Sequence, residues 1–519
     1  MNTEELQVPT THDAARAATT LLTSLYRRGV KLWIERGQLH FQAPPGTLGA
    51  GDQDRLKQLK PEIVRLLQRA RPDAELPLVP RPAGTPAPLT AMQMRWITRV
   101  LREQRLSRRW GKLGTRLKGR LDLRILRESL ETLVQRHETL RTRIVRSGNQ
   151  LFQEAFPAGP CMVEPIDVSA GSTEESFAKA MQLTRELVYH RIDIYKEPLF
   201  VFRLFRLSAD DHVLVLLSDH LISDGFSKQI LTRELWTAYR QLEAGLPVCL
   251  PRSPIQFPDY ALWQEQTRAA WFEKHAHYWT DKFAGARRLR LPADEGLPQM
   301  AEPVGTVARI PFGASLSTAL HDLARREQSL TALVVLTAYC VAISQWCGQR
   351  DLVITVQSNG RIRPQLEHVT GYISNQLFLR IPLHEHDRYI DLLKRVQAEY
   401  WTSHEHRDYD RVPDFVKECQ SDLYASDVYF NWQPFSAALA ATPPWQEGEQ
   451  LRIEALEIEL PPPSRFLPLF LDRQEGIQFV VMFREDAFRR ATVESFGKRL
   501  IAVATELVAD PRARLAPLP

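Results

Sequence analysis

Six prolines within seventeen residues, Pro72, Pro77, Pro80, Pro82, Pro86 and Pro88, cut this chain into two unequal parts. Each fixes its own φ and removes a backbone donor, so neither a helix nor a central strand runs through the segment. The composition predicts an extended, semi-rigid connector over 71–87. Residues 1–70 are too few for a large core, whereas the rest of the 519-residue chain exceeds the roughly 250–300 residues at which single cores stop growing. The expected organisation is a small module over 1–70, the linker, and two lobes over 88–265 and 266–519.

In the small module, apolar residues recur at helical spacing over 14–26, and Gly29 stands where that helix ends. Residues 30–34 and 38–42 read as strands around Glu35-Arg36-Gly37, a hairpin turn with glycine where positive φ is needed. Over 54–69, Leu56, Leu59, Ile63, Leu66 and Leu67 share one helical side. Such a unit encloses no cavity, but its hairpin presents a strand edge able to accept an extended peptide. Arg27, Arg28, Lys31 and Arg36 surround that edge, with Trp33 on its first strand, which favours an acidic partner segment. A solvated hairpin on a stabilising cap is the plainer alternative.

Charge and composition narrow the function classes. Lys and Arg number 67 against 62 Asp and Glu, a net charge of +5, and this balance gives no case for nucleic-acid binding. Basic runs over 102–109 and at Arg287, Arg288 and Arg290 lack accompanying base-stacking aromatics. Cys161, Cys249, Cys340, Cys347 and Cys419 share no paired spacing, which suits a reducing cytoplasm and argues against disulfide or zinc frameworks. The acidic start Met1-Asn2-Thr3-Glu4-Glu5 carries no signal-peptide core. The most apolar stretch, 330–346, is shorter than a bilayer span and interrupted by Thr331, Thr337, Ser344 and Gln345, so it reads as a buried helix with no membrane role.

From 89 onward, helices over 121–136 and 227–242 alternate with strands over 203–207 and 212–217. A second set follows: helix 330–346, strands 352–356, 377–381 and 478–483, and helix 492–508. This is an α/β layout in two comparable lobes. The apolar run 214–217 leads into Ser218-Asp219-His220-Leu221-Ile222-Ser223-Asp224-Gly225, a histidine just past a buried strand, where a rigid sheet offers side chains to ligands. His220 suits a general base or a group that positions a nucleophile. Asp224 suits a buried salt bridge orienting the loop, and Gly225 a tight exit. On spacing alone, a satisfied core or surface histidine is the expected reading. The chain has no Gly-x-Ser-x-Gly elbow, no phosphate-cradling glycine loop and no His-Glu-x-x-His helix. His404, His406 and Asp408 read as polar surface rather than a metal site, since no third placed ligand joins the two histidines.

Ordered motifs carry further. Pro88-Leu89-Thr90-Ala91-Met92-Gln93-Met94-Arg95-Trp96 is followed by Arg136-His137-Glu138-Thr139-Leu140-Arg141-Thr142, then by the His220 motif and Asp259-Tyr260-Ala261-Leu262-Trp263-Gln264. Asn359-Gly360-Arg361, Gly371-Tyr372-Ile373-Ser374-Asn375-Gln376 and Phe430-Asn431-Trp432-Gln433 come later. In this order they resemble the motifs of nonribosomal peptide synthetase condensation domains, over essentially all of 89–519. The resemblance implies two chloramphenicol acetyltransferase-like lobes in a V around a central tunnel, entered from opposite faces by the phosphopantetheine arms of donor and acceptor carriers. It implies that His220 is catalytic, that Asp224 and Arg141 form a structural ion pair, and that Gly225, Asn375 and Gln433 are further structural or tunnel positions. No bound cofactor or metal is implied, because the phosphopantetheine thioester arrives already activated on the partner carrier.

Two departures matter. Asp219 replaces the family's first histidine, and Asp410 stands where the family has proline. Asp219, Asp224 and Ser227 also resemble the signature of heterocyclisation domains, although those relatives lack the histidine that His220 retains. A catalytically silent, carrier-recruiting relative is the remaining alternative, against which His220, Asp224 and Gly225 argue. Gly29, the hairpin, Gly37 and Ala43-Pro44-Pro45-Gly46 resemble the β-hairpin docking domains of assembly-line subunits, implying capture of the C-terminal tail of an upstream acyl or peptidyl carrier protein. The chain ends at Ala516-Pro517-Leu518-Pro519, where a modular synthetase continues into adenylation and carrier domains. The expectation is therefore an acceptor supplied from outside, carrier-bound or, preferably, a small amine or alcohol that releases the chain as an amide or ester. A monomer that meets its partners transiently is expected.

Overall fold

The computed structural model describes residues 18, 21–22, 25, 30–35, 38–42, 49–69, 76–82, 84–102, 108–159, 161, 163–287, 289–298, 305–406, 428–433, 450–458 and 464–515. Arg27, Arg28, Gly29, Arg36, Gly37, the 43–46 segment, Arg288, Asp408, Asp410, Cys419 and the final four residues lie outside them, as do the side chains of Lys31 and Trp33. The chain divides into one unit of Met1–Pro77 with Arg325–Gln328 and another of Leu78–Ala324 with Ser329–Pro519.

In the first unit β1 (Lys31–Glu35) pairs antiparallel with β2 (Gln38–Gln42), Trp33 opposite His40. Leu56 and Ile63 bury with Ala18, Leu21, Leu25 and Val30. The single helix expected over 54–69 is two, α1 (Ala50–Gln58) and α2 (Lys60–Arg69). Pro61 cannot donate a backbone bond and crowds the residue before it, so the helix breaks at Leu59, whose N–H caps α1 on the Arg55 carbonyl at 2.9 Å.

The second unit opens with β3 (Ala87–Pro88), α3 (Ala91–Arg102), β4 (Gly111–Gly119), α4 (Leu123–Arg136), β5 (Thr142–Ser147), β6 (Gln150–Ala155) and β7 (Ile166–Asp167). α5 (Thr173–Tyr189), β8 (Phe200–Ser208), β9 (Asp211–Ser218), α6 (Gly225–Glu243), α7 (Phe257–Gln266) and α8 (Arg268–Phe283) follow. Its second half comprises β10 (Gly305–Pro311), α9 (Ala314–Arg326), α10 (Thr331–Cys347), β11 (Asp351–Ser358), β12 (Asn375–Pro382) and α11 (Tyr389–Glu405). β13 (Tyr429–Phe430), β14 (Trp432–Gln433), β15 (Leu451–Leu456), β16 (Phe466–Arg473), β17 (Gly476–Arg484) and α12 (Arg490–Ala509) complete it.

β9 lies inside a five-stranded sheet ordered β15-β4-β9-β8-β7. Val213, Val215 and Leu217 pack on one face with Phe205 and Val188, while Leu214 and Leu216 pack on the other with Leu130, Leu231 and Leu235. Cover on both faces is why this strand reads as a continuous apolar run rather than an alternating one. In the second half, residues of β13 and β14 run parallel to β11 and β16 respectively, stitching two sheets along one short segment. α10, buried from Leu333 to Ser344, is the central helix of that core and stops at Gly348 in the left-handed conformation. Among the described residues no single helix is long and apolar enough to cross a membrane.

Two expected boundaries differ. A cut at 265 falls inside α7, and β15 leaves the second half to pair antiparallel with β4 of the first, Leu451 opposite Gly119 through Leu456 opposite Gly114. The linker expected over 71–87 is also built onto the larger unit from Leu78 onward. Leu78 is buried among Ile255, Phe257, Trp263 and Leu366, and the Arg81 guanidinium bonds Asp259 and Glu138, each at 2.7 Å. Prolines interrupt secondary structure there but leave the side chains between them free to pack. Arg81→Ala strands two carboxylates at little-exposed positions and is expected to cost about 3–5 kcal/mol in urea unfolding; a loss under about 1 kcal/mol, the scale of a surface pair, would refute this anchoring.

Candidate active site

β9 ends at Ser218, and the chain turns into α6 through a tightly bonded loop. Asp219 is fully buried; its N–H donates to the Leu199 carbonyl and its carboxylate accepts the Leu221 N–H, both at 2.8 Å, so this side chain shapes the turn. The Ser218 and Ser223 hydroxyls lie 2.5 Å apart beneath it. Gly111 of β4 faces them, where any Cβ would stand 2.3 Å from Ser218 Oγ.

His220 projects from this turn half-buried. Its Nδ1 lies 3.3 Å from the Ser223 carbonyl, a hydrogen bond that places the ring proton on Nδ1 and leaves the lone pair on Nε2. Tyr372 stacks on the ring at 5.8 Å and Trp96 meets it edge-on at 5.0 Å. Trp96 comes from α3 and Tyr372 from the loop before β12, so each half of the unit supplies one wall. Burial and then the charge of Lys228 push the imidazole down to about 4, against the pull of the Ser223 carbonyl and Asp224, and Lys112 adds to the lowering. The result is a neutral imidazole at neutral pH with its lone pair on Nε2.

Asp224 caps α6, its carboxylate accepting the Ser227 N–H at 2.8 Å. The expected ion pair with Arg141 is not formed. Asp224 instead receives both terminal nitrogens of Arg361, at 2.8 and 3.1 Å, together with the Ile373 and Ser374 N–H groups at 3.1 and 2.8 Å. Burial by itself would raise this carboxyl, but Arg361 and Ser227 outweigh it and hold it below the usual carboxylate range. Arg141 turns away to the carbonyls of Val134 and Phe156, tying α4 to the end of β6. The Ser227 hydroxyl accepts the Gly371 N–H at 2.9 Å, and Thr139 meets Thr370 at 2.6 Å. Asp224 and Ser227 thus lock the loop carrying Tyr372 against the turn carrying His220.

The other expected positions divide. Asn375 is buried at the head of β12, its side chain accepting the Gln376 N–H at 2.7 Å, and Gln376 in turn accepts Arg95 of α3 at 3.0 Å. Gln433 ends β14 exposed, paired in register with Leu471. Gly225 is exposed, without positive φ, and a Cβ there would touch nothing within 4 Å, so no backbone constraint explains it. His406 stacks on Tyr278 at 3.7 Å with its Nδ1 3.0 Å from that of His275, while His404 contacts the rings of Tyr400 and Trp401. Sequence reasoning missed Arg361, Lys112, Lys228 and the role of Trp96. Arg361 lay in a quoted motif, but nothing local says which acid it meets 137 residues away.

This chain belongs to the condensation domain family, whose model matches residues 84–518. Residues 19–69 match the TubC N-terminal docking domain. Chondramide synthase cmdD of Chondromyces crocatus is 28% identical over 412 residues, which is 77% of this chain but 10% of that protein. The X-domain from teicoplanin biosynthesis superposes with a TM-score of 0.73 at 22% identity, covering 86% of this chain and 100% of the X-domain. The condensation domain of chain release from the enacyloxin polyketide synthase superposes at 0.62 with 20% identity, covering 95% and 96% of the two chains. At these identities the solved structures speak for the fold, two chloramphenicol acetyltransferase-like lobes with a docking region before them.

Proposed function

We propose that the protein takes an acyl chain from the phosphopantetheinyl thioester of an upstream carrier and transfers it to a free amine or hydroxyl, releasing it as an amide or ester. The observation that carries this reading is the half-open His220 ring between Trp96 and Tyr372, with Nε2 unprotonated and its Nδ1 proton fixed on Ser223. As the acceptor attacks the thioester carbonyl, Nε2 takes its proton; collapse of the tetrahedral species expels the pantetheine thiolate, to which that proton returns. The arm comes with the carrier, so the protein needs no cofactor of its own. Both carboxylates of the motif are engaged in holding backbone and Arg361, which supports plain condensation over cyclisation. The exposed side of the β1–β2 hairpin suits strand addition by the carrier's C-terminal tail, raising the local concentration of its arm. The protein acts as a monomer in the reducing cytoplasm.

The test is intact-protein mass spectrometry of the acyl-loaded upstream carrier, with its tail, incubated with the protein and a panel of free amines and alcohols. Acceptor-dependent loss of the acyl mass is the expected result, with deletion of the tail slowing it. Acyl retention with every free acceptor, alongside transfer to an aminoacyl carrier, would replace release by carrier-to-carrier condensation.

A further inference from the structure

The hydrogen bonds that shape the His220 turn reach a residue of α3 that takes no part in the transfer chemistry. Gln93 is fully buried, and both the oxygen and the nitrogen of its side-chain amide are engaged. Its Oε1 accepts the Thr90 N–H at 2.9 Å and the Gln153 amide at 3.2 Å. Its Nε2 donates to the Leu221 carbonyl at 2.7 Å and to Gln153 Oε1 at 3.4 Å. The Gln93 N–H in return donates to the Thr90 hydroxyl at 3.2 Å, so Thr90 and Gln93 cap α3 reciprocally. These partners fix the orientation of the amide. Turned over, it would set its oxygen against the Leu221 carbonyl and its NH2 against the Thr90 N–H.

A reciprocal cap accepts glutamate as readily as glutamine at this position. An ionised glutamate, however, has no donor for Leu221. The cap therefore leaves the choice of side chain open, and the bond to the turn decides it. Leu221 directly follows His220 and is fully buried. Its N–H is held by the Asp219 carboxylate at 2.8 Å. The next peptide, between Leu221 and Ile222, is held at both ends, its N–H on the Asp219 carbonyl at 3.2 Å and its oxygen on Gln93. Trp96 lies about one turn along α3 from Gln93, on the same side, and meets the His220 ring edge-on at 5.0 Å. α3 thus touches the turn twice, on the backbone just after the histidine and on the ring itself.

We propose that Gln93 is a positioning residue for acyl transfer: by tying the Leu221 carbonyl to α3, it keeps the His220 ring set between Trp96 and Tyr372 with Nε2 aimed at the acceptor. This rests on His220 acting as the base, and it holds alike for a free or a carrier-bound acceptor. A general base works only within about 3 Å of the proton it removes. A displacement of about 1 Å costs up to about a hundredfold in rate, so a slipped turn slows transfer while binding stays intact.

Turnover of the acyl-loaded upstream carrier is followed at varied acceptor concentration for Gln93→Met, Thr90→Val, His220→Ala and the double variant Gln93→Met/His220→Ala, with a urea midpoint for each. Gln93→Met is expected to lower kcat by about ten- to a hundredfold and to leave KM for the acceptor unchanged. Thr90→Val breaks the same cap but keeps the bond to Leu221, so it loses similar stability and retains its kcat. In the His220→Ala background Gln93→Met adds no further loss, because no ring remains to be aimed. A residue that merely stabilises the fold would lower both backgrounds alike, and that outcome overturns the proposal. So does a kcat unchanged by Gln93→Met, or one lowered equally by Thr90→Val. Where Gln93→Met does not fold, Gln93→Asn, one methylene too short to span Thr90 and Leu221 together, is expected to show the same split between kcat and KM. A His220→Ala rate equal to wild type rejects the base reading itself, and the positioning role with it.

Discussion

His220→Ala is expected to lower acyl transfer by about 10²- to 10⁴-fold, the range a positioned general base contributes, with little change in the unfolding midpoint. The ring is half-buried, makes one 3.3 Å hydrogen bond, to the Ser223 carbonyl, and touches Trp96 and Tyr372, which keep their own packing without it, so the loss of activity far exceeds the loss of stability at this position. Single-turnover deacylation of the loaded carrier gives the number, and a drop under about threefold would mean that proton transfer at Nε2 contributes little. The same chemistry fixes the pH profile. Only the neutral imidazole accepts a proton, and its affinity is depressed to about 4, so activity is lost as pH falls through that value. With a hydroxyl acceptor, the acid limb of kcat/KM is therefore expected near pH 4 instead of near the free-histidine value of about 6.5. Removing the positive charge of Lys228 moves the limb upward, since that charge is the second cause of the depression.

A large loss of stability is expected from Arg361→Ala, which leaves Asp224 buried and ionised without its partner. Breaking such a pair costs about 3–5 kcal/mol, read as a shift in the urea midpoint, and activity falls with it because the Tyr372 wall is no longer held. Arg361→Lys recovers only part, since an ammonium cannot offer two parallel donors. Arg141→Lys is the contrasting control: Arg141 bonds only carbonyls, and about 1 kcal/mol is at stake. Equal effects at 141 and 361 would contradict the pairing seen here. Asp224 is held below its unfolded pKa, so the stabilisation is complete above the unfolded carboxylate value of about 4 and disappears as pH falls through the folded one.

How far sequence reasoning reached depends on the range of the interactions. Strands 212–217 and 478–483 and helices 330–346 and 492–508 were legible because burial is written into local pattern; the structure lengthens the two strands and the last helix by one or two residues at either end and shifts the helix at 330–346 to Thr331–Cys347. His220 was legible through its motif. The partner of Asp224 was not, because Arg141 and Arg361 are equally suitable guanidinium groups and only the packing of two distant loops decides between them. Lys112 and Lys228 carry no motif; they matter through a shared field around His220, which has no sequence period. The prolines over 72–88 were read for what they forbid, a regular element, whereas the packing of Leu78 and Arg81 between them depends on α7, far along the chain.

The antiparallel pairing of β15 with β4 has a consequence for recombining this protein with its relatives. A breakpoint placed anywhere between the two halves gives a chimera whose first sheet is completed by a strand from the other parent. Residues 451–456 therefore travel with the first half if its sheet is to close on its own sequence, as does Ile458, whose side chain lies within 2.9 Å of where a Cβ on Gly114 would stand. A graft that exchanges acceptor preference by swapping half a protein would need two crossovers, and a single one would carry the foreign edge into the sheet that bears the histidine.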